Sequence, residues 1–421
     1  MTFSTSRRWH RHMLGAALLA CSVAAAAQPG TSPLNDSTLN RIDPAVFGIT
    51  SDEIATIRGR MQAAVDGEHI AGALLLVGNN DGIGVLESVG NQGPQDATPV
   101  SEQTLFRIYS MTKPIVSVAA MSLVEDGLLS VDDPVSKYLP EFAQMTVIDA
   151  ETGEARTAER EMTVAHLLSH TSGLVQAIFA IGTDLGTMYQ QNIHLDGSLT
   201  NREIASRLAD LPLLFEPGTA WHYGHSTDLL GAVLEVAAGQ PLDDILEQRI
   251  FTPLGMDDTG FWVPASEQHR VAEPIHGAMP DNTVQHKFLS GGGGLNSTAE
   301  DYVRFARMLL NDGEYGGARI LEPATLAVMT EERITDEVSR EHFFYGNRGG
   351  WSLGFHLQPI DPANPAAGTN FGWRGIGGTL FLVDPVNDFF MIYMEQKRGG
   401  PRDAPFDNST AQSMVYEAIL N

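Results

Sequence analysis

Apolar positions along the chain change their period several times, and each change marks an element. Ile54, Ile57, Met61 and Val65 recur at three- and four-residue intervals, one face of a helix that Ser51 is placed to cap. Residues 71–77 and 83–89 are apolar runs of strand length, and Asn79-Asn80-Asp81-Gly82 between them predicts a hairpin. Residues 111–126 return to helical length and are closed by Gly127. From about 135 to 287 the pattern is mostly helical, clearest over 163–169, 201–208 and 229–238. The run Ser290-Gly291-Gly292-Gly293-Gly294 then interrupts an apolar context, which predicts a tight backbone path beside a site rather than a linker.

Ser297-Thr298-Ala299-Glu300 reads as a capping box opening a helix through Leu310, stopped by Asn311-Asp312-Gly313. Strands are expected over 351–358, 378–383 and 389–394, and a last helix from about 408 to 420. Hairpin and helix in front, strands and helix behind and helices between predict an α/β fold of the α+β type. Its antiparallel sheet is flanked by helices and carries an inserted, mainly helical region. The expected parts are residues 51–134 with 288–421 for the α/β domain and 135–287 for the helical domain, after an irregular stretch at 28–50.

Composition refines this picture at the front of the chain. Arg7, Arg8 and Arg11 precede an apolar run over 13–27 that is too short to span a bilayer and ends in Ala25-Ala26-Ala27. Residues 1–27 are therefore expected to be a signal peptide, and the protein to be exported to the periplasm or the extracellular space. The single Cys, Cys21, lies inside this run. Leu18-Leu19-Ala20-Cys21 also fits a lipoprotein signal, which would anchor the protein to a membrane through Cys21. Cleavage after Ala27 instead leaves no Cys, hence neither disulfide nor thiol chemistry. It also removes three Arg and no acid, moving the formal net charge from −26 to −29. A chain so acidic repels nucleic acid and anionic lipid surfaces, so neither is an expected partner.

Candidate chemistry centres on Ser110 and Lys113. On a helix, positions i and i+3 share a face, so hydroxyl and amine can meet. A lysine amine kept from water can take up the serine proton and make the oxygen nucleophilic. Among only four Lys in the chain, Lys113 alone has Ser three positions before it. Chance supplies about 0.3 such matches at average Ser usage, so the pair needs company. Its place at the start of an apolar helix suits acyl transfer, because backbone N–H groups and the helix dipole face a developing oxyanion.

That company is present. With Ser110-x-x-Lys113 stand Leu168-Ser169-His170-Thr171-Ser172-Gly173-Leu174, Glu216-Pro217-Gly218 with Trp221-x-Tyr223, and Leu229-Leu230-Gly231. The Gly291–Gly294 run before Ser297-Thr298 follows, then Trp373-Arg374-Gly375 with Gly378-Thr379 and Asp384-Pro385. Over roughly residues 50–420 the chain resembles the serine β-lactamase and penicillin-recognising superfamily, most closely its family VIII carboxylesterases. The resemblance implies a β-lactamase-like fold, Ser110 as nucleophile, Lys113 as its base and Tyr223 as the residue that relays the proton to the leaving group. It also implies the Ile376 N–H, just past Gly375, as the oxyanion donor beside that of Ser110.

Two departures from the family pattern matter. His225 stands where Asn is usual, two residues after the Tyr, and is expected to face the site. Trp373 replaces the usual cation of the third motif, which removes the natural partner for a substrate carboxylate and is expected to furnish an apolar acyl or alcohol pocket. Arg374 should point to the opposite face of its strand.

Two further patterns mislead. Gly350-Trp351-Ser352-Leu353-Gly354 satisfies the nucleophile elbow G-x-S-x-G, but the only later His, His356, precedes every later Asp, so no triad in the required order can be built. His166 and His170 have zinc-motif spacing, yet Leu167 occupies the place of the general base, and His222 reads as structural.

The expected activity is hydrolysis of short-chain carboxyl esters or amides, with a small-molecule substrate, through an acyl-enzyme without metal or cofactor. The alternatives are a D-amino-acid peptidase or β-lactamase of the same fold, and a penicillin-binding-like receptor without catalysis.

Overall fold

Among the described residues eight antiparallel strands form the central sheet. From one edge to the other they are Gly350–Trp351, His356–Pro359, Thr369–Arg374, Leu380–Asp384, Phe389–Glu395, Gly72–Gly78, Ile83–Gly93 and Asp96–Pro99. The computed structural model describes residues 38–149, 151–361, 367–399 and 405–420. The expected signal peptide, with Cys21, and the first part of the stretch 28–50 lie outside the described residues. Among the described residues no helix is long and apolar enough to cross a membrane.

The two central strands, Gly72–Gly78 and Phe389–Glu395, pair from Ala73↔Glu395 to Gly78↔Phe390 and are buried throughout. Their continuous apolar runs follow from being covered on both faces, because successive side chains point opposite ways. Leu74 and Leu76, with Phe390, Ile392 and Met394, enter the larger core on the side of the site. Ala73, Leu75 and Val77, with Phe389, Met391 and Tyr393, enter a second core with Ile57 and Met61 of helix Ser51–Asp66 and with Ala411 and Val415 of helix Asn408–Leu420. The described residues, from 38 to 420, form one compact unit. The core on the site face runs from Leu74 through Leu167, Leu230 and Phe305 to Met394, so the helices between 112 and 254 share it with the sheet.

Helix Thr112–Glu125 lies in the middle of that core, buried from Thr112 through Leu123. It is apolar on every side because it has no solvent face. Its neighbour Ser226–Ala238 is buried from Ser226 to Leu234 and ends on Gly239 in the left-handed region.

The structure adjusts several expectations by a residue or two. Thr50, rather than Ser51, caps the first helix, accepting from the Glu53 N–H while the Glu53 carboxylate accepts from the Thr50 N–H at 2.7 Å. Thr298 caps Ala299–Leu310 by accepting from the Asp301 N–H, so the expected box starting at Ser297 is displaced by one position. The single strand expected over 351–358 is two, Gly350–Trp351 and His356–Pro359, paired as a hairpin. Gly354, at φ 107°, makes the turn between them, a conformation that favours glycine. Ser352 sits in that turn, buried, with its hydroxyl on the Phe355 carbonyl at 3.3 Å and no helix behind it, so the elbow reading fails.

Candidate active site

The short strand Phe106–Arg107 pairs with Asn296–Ser297, which brings the glycine run beside Ser110. Between strand and helix the chain turns through Tyr109, a non-glycine residue at φ 45°. Such a residue costs of order 1–3 kcal/mol and persists only where its surroundings impose it. Here they do. A Cβ on Gly377 would come within 2.9 Å of the Tyr109 ring, and one on Gly375 would stand 2.5 Å from the Ile108 carbonyl and 2.4 Å from Thr379 Oγ1. The two glycines let the end of strand Thr369–Arg374 lie directly against the Ser110 segment, so Ser110 and the largely exposed Ile376 line one cleft.

Lys113 follows on the first turn of the buried helix, with its side chain 3% exposed. Its Nζ lies 3.4 Å from Ser110 Oγ and 2.5 Å from the Gly292 carbonyl oxygen, and sits 4.5 Å from the centroid of the Tyr223 ring. Tyr223, also buried, precedes helix Ser226–Ala238 and completes the group. Tyr223, 110 positions beyond Lys113, thus joins Ser110 and Lys113 on one cavity of about 360 Å³.

Trp373 takes a different place from the one expected. It does not line the cleft; it is buried behind Tyr223, and its indole Nε1–H donates to the Tyr223 phenol oxygen at 2.9 Å. The reason is the strand register. Trp373 points into the site-face core, packed edge-on to Trp351 at 4.6 Å, while Arg374 points the other way and donates to Ser409 and Gln412 of the last helix. The apolar wall comes instead from Ile178, Phe179, Leu195, Phe261 and Phe288.

His225 is also displaced from its expected role. It is 2% exposed, absent from the cleft wall, stacked on Tyr189 and bonded through Nδ1 to Asp228 Oδ2 at 2.9 Å. Asp228, which the motif reading passed over, does reach the cleft. Its Oδ1 accepts from Ser290 Oγ at 2.7 Å and from the Gly292 N–H at 2.9 Å. Burial pushes this carboxyl up, but the His225 bond and charge, Lys113 and the Ser290 hydroxyl outweigh it and hold it below the ordinary range. One signal for it exists in the sequence, a lone acid three residues after His225 at the head of an apolar helix.

The glycine run is tight, as expected, and for reasons of space rather than conformation, since none of its members has a positive φ. A Cβ on Gly291 would lie 2.5 Å from the Thr227 carbonyl, and one on Gly292 2.8 Å from Asp228 Oδ1.

The histidine pair does not form a helical i, i+4 couple. Helix Val164–Leu168 ends before His170, which adopts φ 56°. His166 Nδ1 accepts from the Thr163 N–H as part of the helix cap. His170 stacks on Tyr223 with centroids 4.6 Å apart, and burial, with Lys113 nearby, pushes its imidazole well below its ordinary range, so the ring is neutral.

Among the described residues lining the cleft no arginine is free to meet a substrate carboxylate. Arg107, which lines the cleft, donates to the Pro280 and Ala272 carbonyls and to Glu273 and Asn282.

Known proteins place the chain in a family. The Beta-lactamase family model matches residues 56–414. Protein Rv1367c of Mycobacterium tuberculosis is 35% identical over 355 residues, spanning 79% of this chain and 87% of the relative. Esterase EstB of Burkholderia gladioli is 31% identical over 383 residues, 82% of this chain and 91% of the relative. Among solved structures, EstCE1, described as a hydrolase with promiscuous acyltransferase activity, superposes with a TM-score of 0.71 at 25% identity, covering 88% of this chain and 99% of that one. A family model over residues 56–414, which include the cavity-lining Ser, Lys and Tyr, together with a relative 31% identical across 82% of the chain, shows that the chain belongs to the β-lactamase family of serine hydrolases.

Proposed function

We propose that this protein is an exported esterase that cleaves uncharged carboxyl esters through an acyl-enzyme on Ser110. The observation that carries the reading is the position of Lys113 Nζ, 3.4 Å from Ser110 Oγ and above the Tyr223 ring. Lys113 gives an N–H to the Gly292 carbonyl, which directs Nζ toward the Ser110 hydroxyl whose proton it is to take up. Contacts of this length between catalytic groups tighten in the reacting complex.

In the first step Ser110 Oγ bonds to the ester carbonyl carbon while its proton passes to Lys113. The carbonyl π pair moves onto oxygen, where the Ser110 and Ile376 N–H groups receive it. Collapse breaks the bond to the alcohol, which leaves with a proton delivered through the Tyr223 phenol. Water then enters by the same route in reverse, freeing the acid and Ser110. Trp373 donates to the phenol oxygen, a bond that strengthens as negative charge builds there during the relay.

Esters are favoured over β-lactams and peptides bearing a free carboxylate because no arginine among the described residues at the cleft is free to receive that carboxylate. Trp373 has replaced the motif cation, Arg374 faces away and Arg107 is fully engaged. Export rests on the composition of residues 1–27.

The test is a fluorophosphonate followed by intact-mass and peptide mass spectrometry, run beside hydrolysis of p-nitrophenyl butyrate, nitrocefin and a D-Ala-D-Ala peptide. The expected result is one adduct, on Ser110, abolished in Ser110→Ala, with the butyrate ester as best substrate. Labelling elsewhere, or nitrocefin turned over faster than the ester, overturns the reading.

A further inference from the structure

We infer that Asp228 is the positioning residue of Lys113, acting through the Ser290–Gly294 turn, with His225 holding the carboxylate from behind. The inference rests on the reading of Lys113 as the base for Ser110.

The contacts form an unbroken chain from a buried histidine to the nucleophile. His225 Nδ1 meets Asp228 Oδ2 at 2.9 Å, and Asp228 Oδ1 takes the Ser290 hydroxyl at 2.7 Å and the Gly292 N–H at 2.9 Å. The turn is closed on itself by the Gly293 and Gly294 N–H groups, both on the Ser290 carbonyl. One carboxylate oxygen therefore ties the first residue of the turn to its third. The carbonyl of that third residue, Gly292, lies 2.5 Å from Lys113 Nζ, and Nζ lies 3.4 Å from Ser110 Oγ.

Three features make this a dedicated device. Asp228 sits in the first turn of helix Ser226–Ala238, where the dipole favours an anion. Both of its oxygens are bonded, so its orientation is set from two sides. Gly292 has no room for a side chain, because a Cβ would stand 2.8 Å from Asp228 Oδ1, so the turn can approach the carboxylate only as glycine. A lysine side chain has several rotatable bonds. Without a fixed acceptor for one N–H, the amine loses the direction that aims its lone pair at Ser110.

Steady-state kinetics on p-nitrophenyl butyrate and the rate of fluorophosphonate acylation test this. Asp228→Ala is expected to lower kcat and the acylation rate by about 100-fold, the scale of a lost charge-assisted hydrogen bond, with KM within about twofold. Asp228→Asn keeps an acceptor oxygen for Ser290 and Gly292 and should recover most of the loss, to within about tenfold of the parent. Ser290→Ala, which removes one tie without emptying a core position, should cost about fivefold in kcat. A merely structural Asp228 would move thermal stability without this split between kcat and KM.

The inference is overturned if folded Asp228→Ala or Ser290→Ala keeps parental kcat, if the loss is confined to KM, or if Asp228→Asn is no better than Asp228→Ala. Should Asp228→Ala fail to fold, the Asn and Ser290 variants decide alone. Ser110→Ala serves as the control. If it retains activity, the assignment of the nucleophile fails; if it is inert while the Asp228 variants are normal, only this inference fails.

Discussion

The indole N–H of Trp373 is hydrogen-bonded to the phenol oxygen of Tyr223 at 2.9 Å, across 150 positions of sequence. An indole can only donate, so the phenol oxygen is the acceptor and its own proton points elsewhere. A residue expected to shape the substrate pocket therefore shapes the proton relay. Trp373→Phe keeps the aromatic packing and removes the donor. It should lower kcat by about 3- to 10-fold with little change in KM, measured with p-nitrophenyl butyrate. Trp373→Lys would bury an amine behind Tyr223 in place of the indole donor, and should reduce ester hydrolysis without creating nitrocefin hydrolysis.

Tyr223→Phe removes the relay hydroxyl itself and should cost about 10²- to 10⁴-fold in kcat, the usual worth of a positioned acid–base group. The Tyr223 ring packs against His170, Phe179 and Phe344, contacts that phenylalanine retains, so thermal stability should stay near the parent's. A Phe variant with near-normal kcat would take Tyr223 out of the mechanism.

Gly375→Ala places a methyl 2.5 Å from the Ile108 carbonyl oxygen, a backbone atom that cannot swing aside. Strand and nucleophile segment must part, carrying the Ile376 N–H away from the ester oxygen. Loss of an oxyanion donor costs about 10²- to 10³-fold in kcat, and a drop of that size with a folded protein is the expected outcome.

The wall formed by Ile178, Phe179, Leu195 and Phe288 should read acyl or alcohol length. Each methylene taken from water contributes about 0.8 kcal/mol, so kcat/KM should rise from the acetyl to the butyryl p-nitrophenyl ester by up to about tenfold. Ile178→Asp, at the half-exposed rim, should flatten that series mainly through KM.

His222 gives the fold a pH signature. Burial, with His342 alongside, pushes its imidazole from 6.5 down to about 4. The folded state holds it neutral while the unfolded chain protonates it at 6.5, so its contribution is complete above that value and is lost as pH falls toward 4. Relative to His222→Gln, the parent should therefore lose stability across this window, by an amount on the order of a few kcal/mol. Thermal melts of both proteins between pH 7.5 and 4.5 measure it; parallel curves would refute the assignment.

What the chain disclosed about itself divides by distance. Ser110 and Lys113 were legible because three residues of helix put them together. The central strands were legible because burial on both faces leaves uninterrupted apolar runs. The hairpin hidden in residues 350–359 was not, since apolar content continues through the turn and only Gly354 betrays it. Asp228, the Gly292 carbonyl and the Trp373 donor acquire their meaning from partners 62 to 179 positions away, which no local pattern encodes. His225 was misplaced for the same reason. A motif position marks a place along the backbone, but whether the ring turns to the cleft or to Asp228 depends on what packs around it.

The pairing of Gly72–Gly78 with Phe389–Glu395 also constrains how the protein comes into being. Ser110, Lys113 and Tyr223 leave the ribosome well before the strand that completes the middle of the sheet. Until that strand arrives, Gly72–Gly78 has one neighbour, and the apolar residues destined for both cores are open to water and to other chains. A chain stopped short of Phe389 would contain every proposed catalytic side chain but lack the strand that closes the middle of the sheet beneath them, so it should be inactive and prone to aggregate.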